Sequence, residues 1–173
     1  VRQGKALYVG LSKYPYEAAN RAYQYLREHD VPCLAYQGRY NLFNLEPAHE
    51  HILEQAYENG AGFIAFSPLA QGLLTNRYLN GIPEDSRIAR GGFLKPSALT
   101  PEVLTRIRAL DGIALRRGQT LAEMSLAWLL KDKTVTSVIV GASSAEQLDD
   151  NLKALKNTSF SEEELREINE VLS

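Results

Sequence analysis

Residues 62–75 read Gly-Phe-Ile-Ala-Phe-Ser-Pro-Leu-Ala-Gln-Gly-Leu-Leu-Thr, and this stretch indicates the fold class. The apolar run 62–66 ends in a polar turn that carries Ser67 and Pro68, and Gly72 follows. A short apolar run bounded by turn residues is typical of a buried strand that opens into a loop. In α/β proteins, ligands bind at that end of a strand. The loop backbone is therefore a candidate anion site, with an ordinary strand-to-helix turn as the alternative.

The rest of the chain alternates between strand-like and helix-like segments. Short apolar runs predict strands at 6–10, 33–37, 62–66 and 137–140. Helical spacing of apolar residues predicts helices at 15–29, from 52 to a stop at 59–60, and at 100–117, 120–130, 144–155 and 161–172. Capping-box spacing occurs at Thr120/Glu123, Ser144/Gln147 and Ser161/Glu164. We expect burial of the apolar strand residues Leu7, Val9, Leu34, Phe63, Ile64, Val138 and Ile139.

Alternating strands and helices are typical of right-handed parallel βαβ units, which makes this an α/β chain. Two architectures fit the pattern. One is a free-standing, doubly wound sheet of four strands. The other is half of an eight-stranded (β/α) barrel, because a whole barrel usually needs ~250 residues. The pattern alone does not separate them.

Length and composition indicate one domain over residues 1–173, with 45% hydrophobic and 23% charged residues. The net charge of −2 gives no electrostatic case for a nucleic-acid or anionic-membrane partner. No apolar run reaches the ~20 residues that span a bilayer, and no signal peptide precedes the first strand. Cys33 is the only cysteine, so an internal disulfide is impossible. We expect a cytoplasmic protein.

Polar residues follow each predicted strand, and parallel strands bring such residues to one mouth. They lie at 10–13, at Gln37 with Tyr40 and Asn41, at 67–69 and at 141–144. The last cluster, which starts at Gly141, leads into a helix whose N-terminus offers free N–H groups and partial positive charge. Gln147 and Asn151 share a face of that helix. An anion site and a plain helix cap are both compatible with this cluster.

A long irregular segment of roughly thirty residues follows the third strand, and such excursions are usually functional. Its cations Arg77 and Arg87 are candidates to clamp a phosphate. His49 and His51 do not form a metal site, because they are two residues apart and no Cys or carboxylate cluster joins them. Cys33 lies within a strand and is better explained as a small apolar residue than as a nucleophile. The glycine motifs of Rossmann and P-loop proteins are absent.

The strand ends, taken together and in order, resemble the second half of the aldo-keto reductases. The matching pieces are Gly-Lys-Ala-Leu-Tyr-Val-Gly-Leu-Ser at 4–12, Gln-Gly-Arg-Tyr-Asn at 37–41, Phe-Ser-Pro-Leu-Ala-Gln-Gly-Leu-Leu at 66–74, Arg-Tyr at 77–78, Gly-Ile-Pro at 81–83, Ser-Arg at 86–87, and Gly-Ala-Ser-Ser-Ala-Glu-Gln-Leu at 141–148 with Asn151. The resemblance runs from about residue 4 to residue 155. It is strongest to the branch of bacterial glyceraldehyde/methylglyoxal reductases and potassium-channel β subunits.

The resemblance implies strands 5–8, with their helices, of a (β/α)₈ TIM barrel that binds NADPH and transfers hydride to a small aldehyde or ketone. Ser12 and Gln37 would hold the nicotinamide carboxamide, and Phe66 would stack on the nicotinamide ring. The pyrophosphate would lie against Ser67, Leu69 and Gly72, under a loop that carries Arg77 and Arg87. The adenosine and its 2′-phosphate would lie against Ser143, Gln147, Asp150 and Asn151, next to Gly141.

Two kinds of departure from the family pattern stand out. Asp150 replaces a usual Glu, and Gln147 occurs where many relatives have Arg, which weakens the case for NADP over NAD. The family's catalytic Asp, Tyr, Lys and His all lie in the first half of the barrel, and this chain begins at the fifth strand. We therefore expect a fragment without its own proton donor, which pairs with a complementary N-terminal half or a second copy. A non-enzymatic dinucleotide-binding or assembly half-barrel is the alternative.

Overall fold

Four parallel strands form one sheet in the order in which they occur along the chain. In the computed structural model, which describes residues 1–84, 86, 88–91, 94–131 and 133–173, they are β1 (Val9–Ser12), β2 (Cys33–Arg39), β3 (Gly62–Phe66) and β4 (Val135–Ile139). Each pairs with its neighbour in the order β1-β2-β3-β4. The predicted α/β class and the parallel, sequential strand order are confirmed.

Seven α-helices lie in the described part of the chain. They are α1 (Tyr16–Glu28), α2 (Glu46–His49), α3 (Ile52–Glu58), α4 (Pro101–Arg116), α5 (Leu121–Leu129), α6 (Ala145–Leu152) and α7 (Glu162–Leu172). The capping boxes predicted at Thr120/Glu123 and Ser161/Glu164 are both formed. The short helix α2 was not predicted, because its single turn is too short for a helical period to show.

The sheet has two unlike faces, which follow from its register. Leu11, Tyr36 and Phe63 are paired across β1, β2 and β3 and are buried. They form one core with residues of α1, α3 and α5: Ala19, Tyr23, Leu53, Ala56, Leu121 and Met124. Side chains alternate along a strand. The neighbouring positions therefore point to the other face, where Ser12 and Ile139 are exposed and Gln37, Ile64 and Phe66 are half-buried.

The burial prediction is correct for Phe63 and wrong for Leu7, Leu34 and Ile139, which are 84%, 54% and 46% exposed. Leu7 precedes β1, which begins at Val9 and not at the predicted residue 6. Leu34 lies where the β1–β2 register shifts, so it has no partner in the ladder. Ile139 lies on the open face. Val9, Ile64 and Val138 are half-buried.

The segment between β3 and α4 is irregular, as predicted, but its described residues include three short 3₁₀ turns. They span Ala70–Gly72, Asn76–Tyr78 and Pro96–Ala98. Tyr78, Ile88 and Leu94 are buried, so the described part of this segment packs onto the core. No helix in the described ranges is long and apolar enough to cross a membrane.

Candidate functional site

Ser12, Gln37 and Phe66 lie on the open face of the sheet, at the C-terminal ends of three adjacent strands. Ser12 is directly paired with Gln37 across β1 and β2. Gln37 is paired with Ile64, two residues before Phe66. Neighbouring strands are about 4.8 Å apart, so these three side chains form one polar-to-aromatic surface. The Lys13 amide donates to the Gln37 carbonyl oxygen at 3.0 Å and extends the ladder beyond β1.

The loop that leaves β3 has a strained backbone. Ser67, Ala70 and Gln71 have φ values of 53°, 46° and 60°, and Gly72 has φ 103°. Residues other than glycine seldom adopt these conformations, and they cluster at ligand sites when the surrounding structure holds them in place. The Ala70 amide donates to the Ser67 carbonyl oxygen at 3.0 Å, and the Gly72 amide donates to that of Leu69 at 2.8 Å. The loop is thus a compact turn with half-buried residues at Ser67 and at 69–72.

α6 follows β4, the strand that is paired with β3, with Phe66 opposite Ile139. Ser144 caps the helix, with its Oγ accepting from the Gln147 amide at 3.2 Å. Gln147 Oε1 accepts from the Ser143 amide at 2.7 Å and from Ser143 Oγ at 2.9 Å. The predicted capping box is therefore only half formed, because the Gln147 side chain bonds Ser143 and not the Ser144 amide. Gly141, Ser143 and Gln147 are all exposed.

Asp150 and Asn151 follow on α6 and have different surroundings. Asp150 Oδ1 accepts from Lys153 Nζ at 2.6 Å on the protein surface. That hydrogen bond, together with the carboxylate charge, raises the pKa of Lys153. Asn151 is only 8% exposed, and its Nδ2 has no acceptor among the described residues. A buried donor without an acceptor costs free energy, so Asn151 is suited to meet a ligand or a partner.

The cationic loop residues divide between the described and the undescribed parts of the chain. Arg77 is exposed in the 3₁₀ turn that Thr75 caps. Thr75 Oγ1 also donates to the Gly72 carbonyl oxygen at 2.7 Å, which ties this turn to the strained loop. Arg87 lies outside the described residues. Sequence reasoning missed Thr75, although a Thr before a short polar turn is a recognisable cap.

Several described side chains that could act as an acid or a nucleophile are buried or hydrogen-bonded within the fold. Tyr40 and Tyr78 are buried, and Tyr36 donates to the Tyr14 carbonyl oxygen at 2.5 Å. Burial raises the pKa of Tyr36, and acidic residues nearby add to the effect. Burial also raises the pKa of the Cys33 thiol, which disfavours the thiolate form that a nucleophile needs. Within the described ranges, no three His, Cys, Asp or Glu side chains could hold a metal ion.

Comparisons with known proteins give this arrangement a family. The profile of the aldo/keto reductase family matches residues 1–173. The L-glyceraldehyde 3-phosphate reductases of Escherichia coli O157:H7 and of Escherichia coli strain K12 are 51% and 50% identical to the chain, in each case over 98% of it. The chain spans about half the length of these curated relatives, 50% of each.

A solved structure agrees with the sequence comparisons. The thermostable aldo-keto reductase Tm1743, crystallised with the inhibitor epalrestat, superposes with a TM-score of 0.71 at 27% identity. The match covers 99% of this chain and 50% of that one. On the family profile, the sequence identity and the shared fold together, the chain belongs to the aldo/keto reductase family.

Proposed function

We propose that this chain is the cofactor-binding half of an NADP(H)-dependent aldo-keto reductase, which reduces a carbonyl by hydride transfer. The observation that carries the proposal is the common open face of Ser12, Gln37 and Phe66, next to the loops that leave β3 and β4. Neighbouring strand ends thus meet at one mouth, where α/β proteins bind ligands. The bound cofactor would supply the hydride.

The residues of the chain would hold that cofactor in three parts. Ser12 and Gln37 would hydrogen-bond the nicotinamide carboxamide, and the Phe66 ring would lie against the nicotinamide. The strained loop would contact the pyrophosphate through Ser67, Leu69 and Gly72, with Arg77 and Arg87 above it. The start of α6 would receive the adenosine and 2′-phosphate through Gly141, Ser143, Gln147, Asp150 and Asn151.

The buried amide of Asn151 fits a nucleotide. The residue is only 8% exposed, and its Nδ2 has no acceptor among the described side chains and backbone groups. Adenine ring nitrogens are acceptors that such a donor recognises. A bound adenosine would therefore satisfy a group that the protein alone leaves unsatisfied.

A preference for NADP over NAD rests on the start of α6. Gln147 Oε1 is occupied by the Ser143 amide and hydroxyl. Its Nε2 is left without a bond to the described residues and faces solvent as a donor. The helix N-terminus adds partial positive charge. Asp150 opposes this charge, but its pairing with Lys153 offsets the carboxylate.

The names of the relatives, L-glyceraldehyde 3-phosphate reductases, support a proposal for the substrate class. We propose a small aldehyde or ketone. Among the described residues, Tyr40 and Tyr78 are buried, so neither is placed to donate a proton at the open face. Carbonyl reduction needs such a group, and losing general acid–base catalysis costs ~10²–10⁴-fold in rate. We expect the chain alone to be inactive, with the catalytic tetrad in the other half of the barrel.

The open sheet is suited to completion as a (β/α)₈ barrel. β1 and β4 each have one unpaired edge, and such edges pair with further strands. Apolar side chains are exposed beside both edges. Leu7 and Tyr8 precede β1, and Leu148, Leu152 and Leu155 follow β4. A complementary N-terminal half, or a second copy of the chain, would cover these surfaces in the cytoplasm.

A second candidate is a non-enzymatic half-barrel that only binds dinucleotide or assembles with a partner. The same exposed apolar residues favour it, because they would promote association whether or not a catalytic half is present. The discriminating property is carbonyl reduction by the assembled complex.

Fluorescence titration with NADPH tests the proposal, with and without the separately expressed N-terminal half of a curated relative. We expect tighter NADPH binding and carbonyl reductase activity only when both halves are present. The absence of NADPH binding in both samples would contradict the proposal. Rapid NADPH-dependent reduction of an aldehyde by the homogeneous chain would contradict the expectation that the proton donor lies in the other half of the barrel.

Light scattering over a hundredfold concentration range tests assembly. We expect self-association of the chain alone, or a complex once the other half is added. A monodisperse monomer in both samples would argue against the half-barrel.

A further inference from the structure

We propose that Asn41 is a positioning residue that holds the loop after β3 in the conformation that receives the dinucleotide phosphates, an inference that rests on the proposed function. Asn41 follows β2 and is 3% exposed. Its Nδ2 donates to the Ser67 carbonyl oxygen at 2.8 Å, a contact between residues 26 positions apart. It thereby links the end of β2 to the first strained residue after β3.

Both ends of the Asn41 side-chain amide are used. Oδ1 accepts from the Phe43 amide at 2.9 Å, which closes a turn of the Asx type. The backbone of Asn41 exchanges two hydrogen bonds with Asn44, at 3.2 and 2.9 Å. The side chain is therefore fixed before it reaches Ser67. Only an amide of this length offers both the acceptor and the donor, because Asp lacks the N–H and Leu lacks both.

The role of the Asn41–Ser67 hydrogen bond follows from the conformation of its acceptor residue, Ser67. Ser67 has φ 53°, a left-handed conformation that a non-glycine residue adopts only when its surroundings hold it. The Ser67 carbonyl oxygen also accepts from the Ala70 amide at 3.0 Å, which starts the compact turn. A donor fixed from β2 orients this carbonyl and with it the direction in which residues 67–72 leave the strand. Asn41 acts on the cofactor through this backbone and does not touch it.

Asn41→Asp is the informative variant, because it keeps the shape and the Oδ1 acceptor and removes the donor. Asn41→Ser, which adds no charge, is the second variant if Asn41→Asp fails to fold. Asn44→Ala is the matched control, since it alters the same turn but keeps the backbone bonds to Asn41.

Two readouts test the proposal on the intact chain. The first is amide hydrogen exchange at Ala70 and Gly72 by NMR, which needs no cofactor. We expect about tenfold faster exchange in Asn41→Asp, the factor for one hydrogen bond of about 1.4 kcal/mol, and no change in Asn44→Ala. The second is the NADPH dissociation constant, measured with the complementary half present. We expect it to rise by about tenfold in the Asn41 variants only.

Unchanged exchange at Ala70 and Gly72 would overturn the proposal. Faster exchange with an unchanged dissociation constant would also overturn it, because the loop would then be irrelevant to the cofactor. If the wild-type chain binds no NADPH with the complementary half present or absent, the proposed function fails. The exchange result then still decides whether Asn41 holds the loop.

Discussion

The start of α6 permits a sharp test of cofactor choice, the substitution Gln147→Glu. The side chain is exposed at the third position of the helix, and its Oε1 accepts from the Ser143 amide and hydroxyl. A carboxylate accepts the same two bonds, and a negative charge near a helix N-terminus is worth about 0.3–1 kcal/mol of stability. The variant should therefore fold at least as well as the wild type.

The expected effect on binding follows from charge. Replacing Nε2 by a carboxylate oxygen places a negative charge where the 2′-phosphate is proposed to bind. Two unit charges about 4 Å apart interact by about 1 kcal/mol in water, and a phosphate monoester carries about −1.5 to −2. The repulsion is then about 1.5–2 kcal/mol, or roughly a 10–30-fold loss of NADPH affinity. NADH has no 2′-phosphate and should lose less than about twofold.

Fluorescence titration with both cofactors, at about 0.05 and 0.5 M salt, measures this difference. The selective loss should shrink at the higher salt, because exposed charges are screened. Lys156→Gln is the matched control, since it changes the net charge by the same unit in the 3₁₀ turn after α6. Equal losses for NADPH and NADH would refute the reasoning and leave Gln147 as a helix cap alone.

Three further predictions concern stability. Asp111 Oδ1 is buried and accepts no hydrogen bond from the described residues, and burial raises the pKa of the Asp111 carboxyl. The penalty grows as the pH rises above the unfolded value of 3.8, so Asp111→Asn should raise the thermal midpoint at about pH 7 but not at about pH 3. Burial alone would raise the pKa of Glu164, but a capping amide and Arg117 lower it overall. Its stabilisation is present above 4.5 and is lost as the pH falls through the lower folded value, so Glu164→Gln should destabilise at neutral pH and less in acid, measured by urea unfolding. Gly38→Ala would put a Cβ 2.7 Å from the Phe63 ring and should cost about 1–3 kcal/mol in urea unfolding.

Matched controls keep these three predictions specific. Asp149→Asn removes an exposed charge and should leave the thermal midpoint nearly unchanged. Glu163→Gln removes an exposed charge that is paired with Arg166 and should show little pH dependence. Gly112→Ala adds a Cβ in open space inside α4 and should stabilise by up to about 1 kcal/mol. If a control variant changed stability as much as its test variant, the role assigned to Asp111, Glu164 or Gly38 would be contradicted.

The elements of this protein could be read from the sequence because each depends on neighbouring residues. Short apolar runs indicated all four strands, although β1 begins at Val9 and not at residue 6. The boxes at Thr120/Glu123 and Ser161/Glu164 marked two helix starts, since a cap joins residues only three apart. Their order predicted the parallel sheet, because a crossover helix between strands favours that pairing. The clustering of polar residues at strand ends followed from the same rule.

Only the tertiary structure shows which strand residues are exposed and which distant groups form hydrogen bonds, because both depend on strand register and long-range contacts. Leu34 and Ile139 look like buried strand residues in sequence, but a register shift and the open face leave them exposed. The Asn41–Ser67 hydrogen bond joins residues far apart along the chain, and no local pattern predicts it. Nor does a local pattern predict that Nδ2 of Asn151 is buried without an acceptor among the described residues. A strand's period shows that two faces alternate but not which face the helices cover. That choice depends on packing between segments far apart along the chain, so only the folded chain determines it.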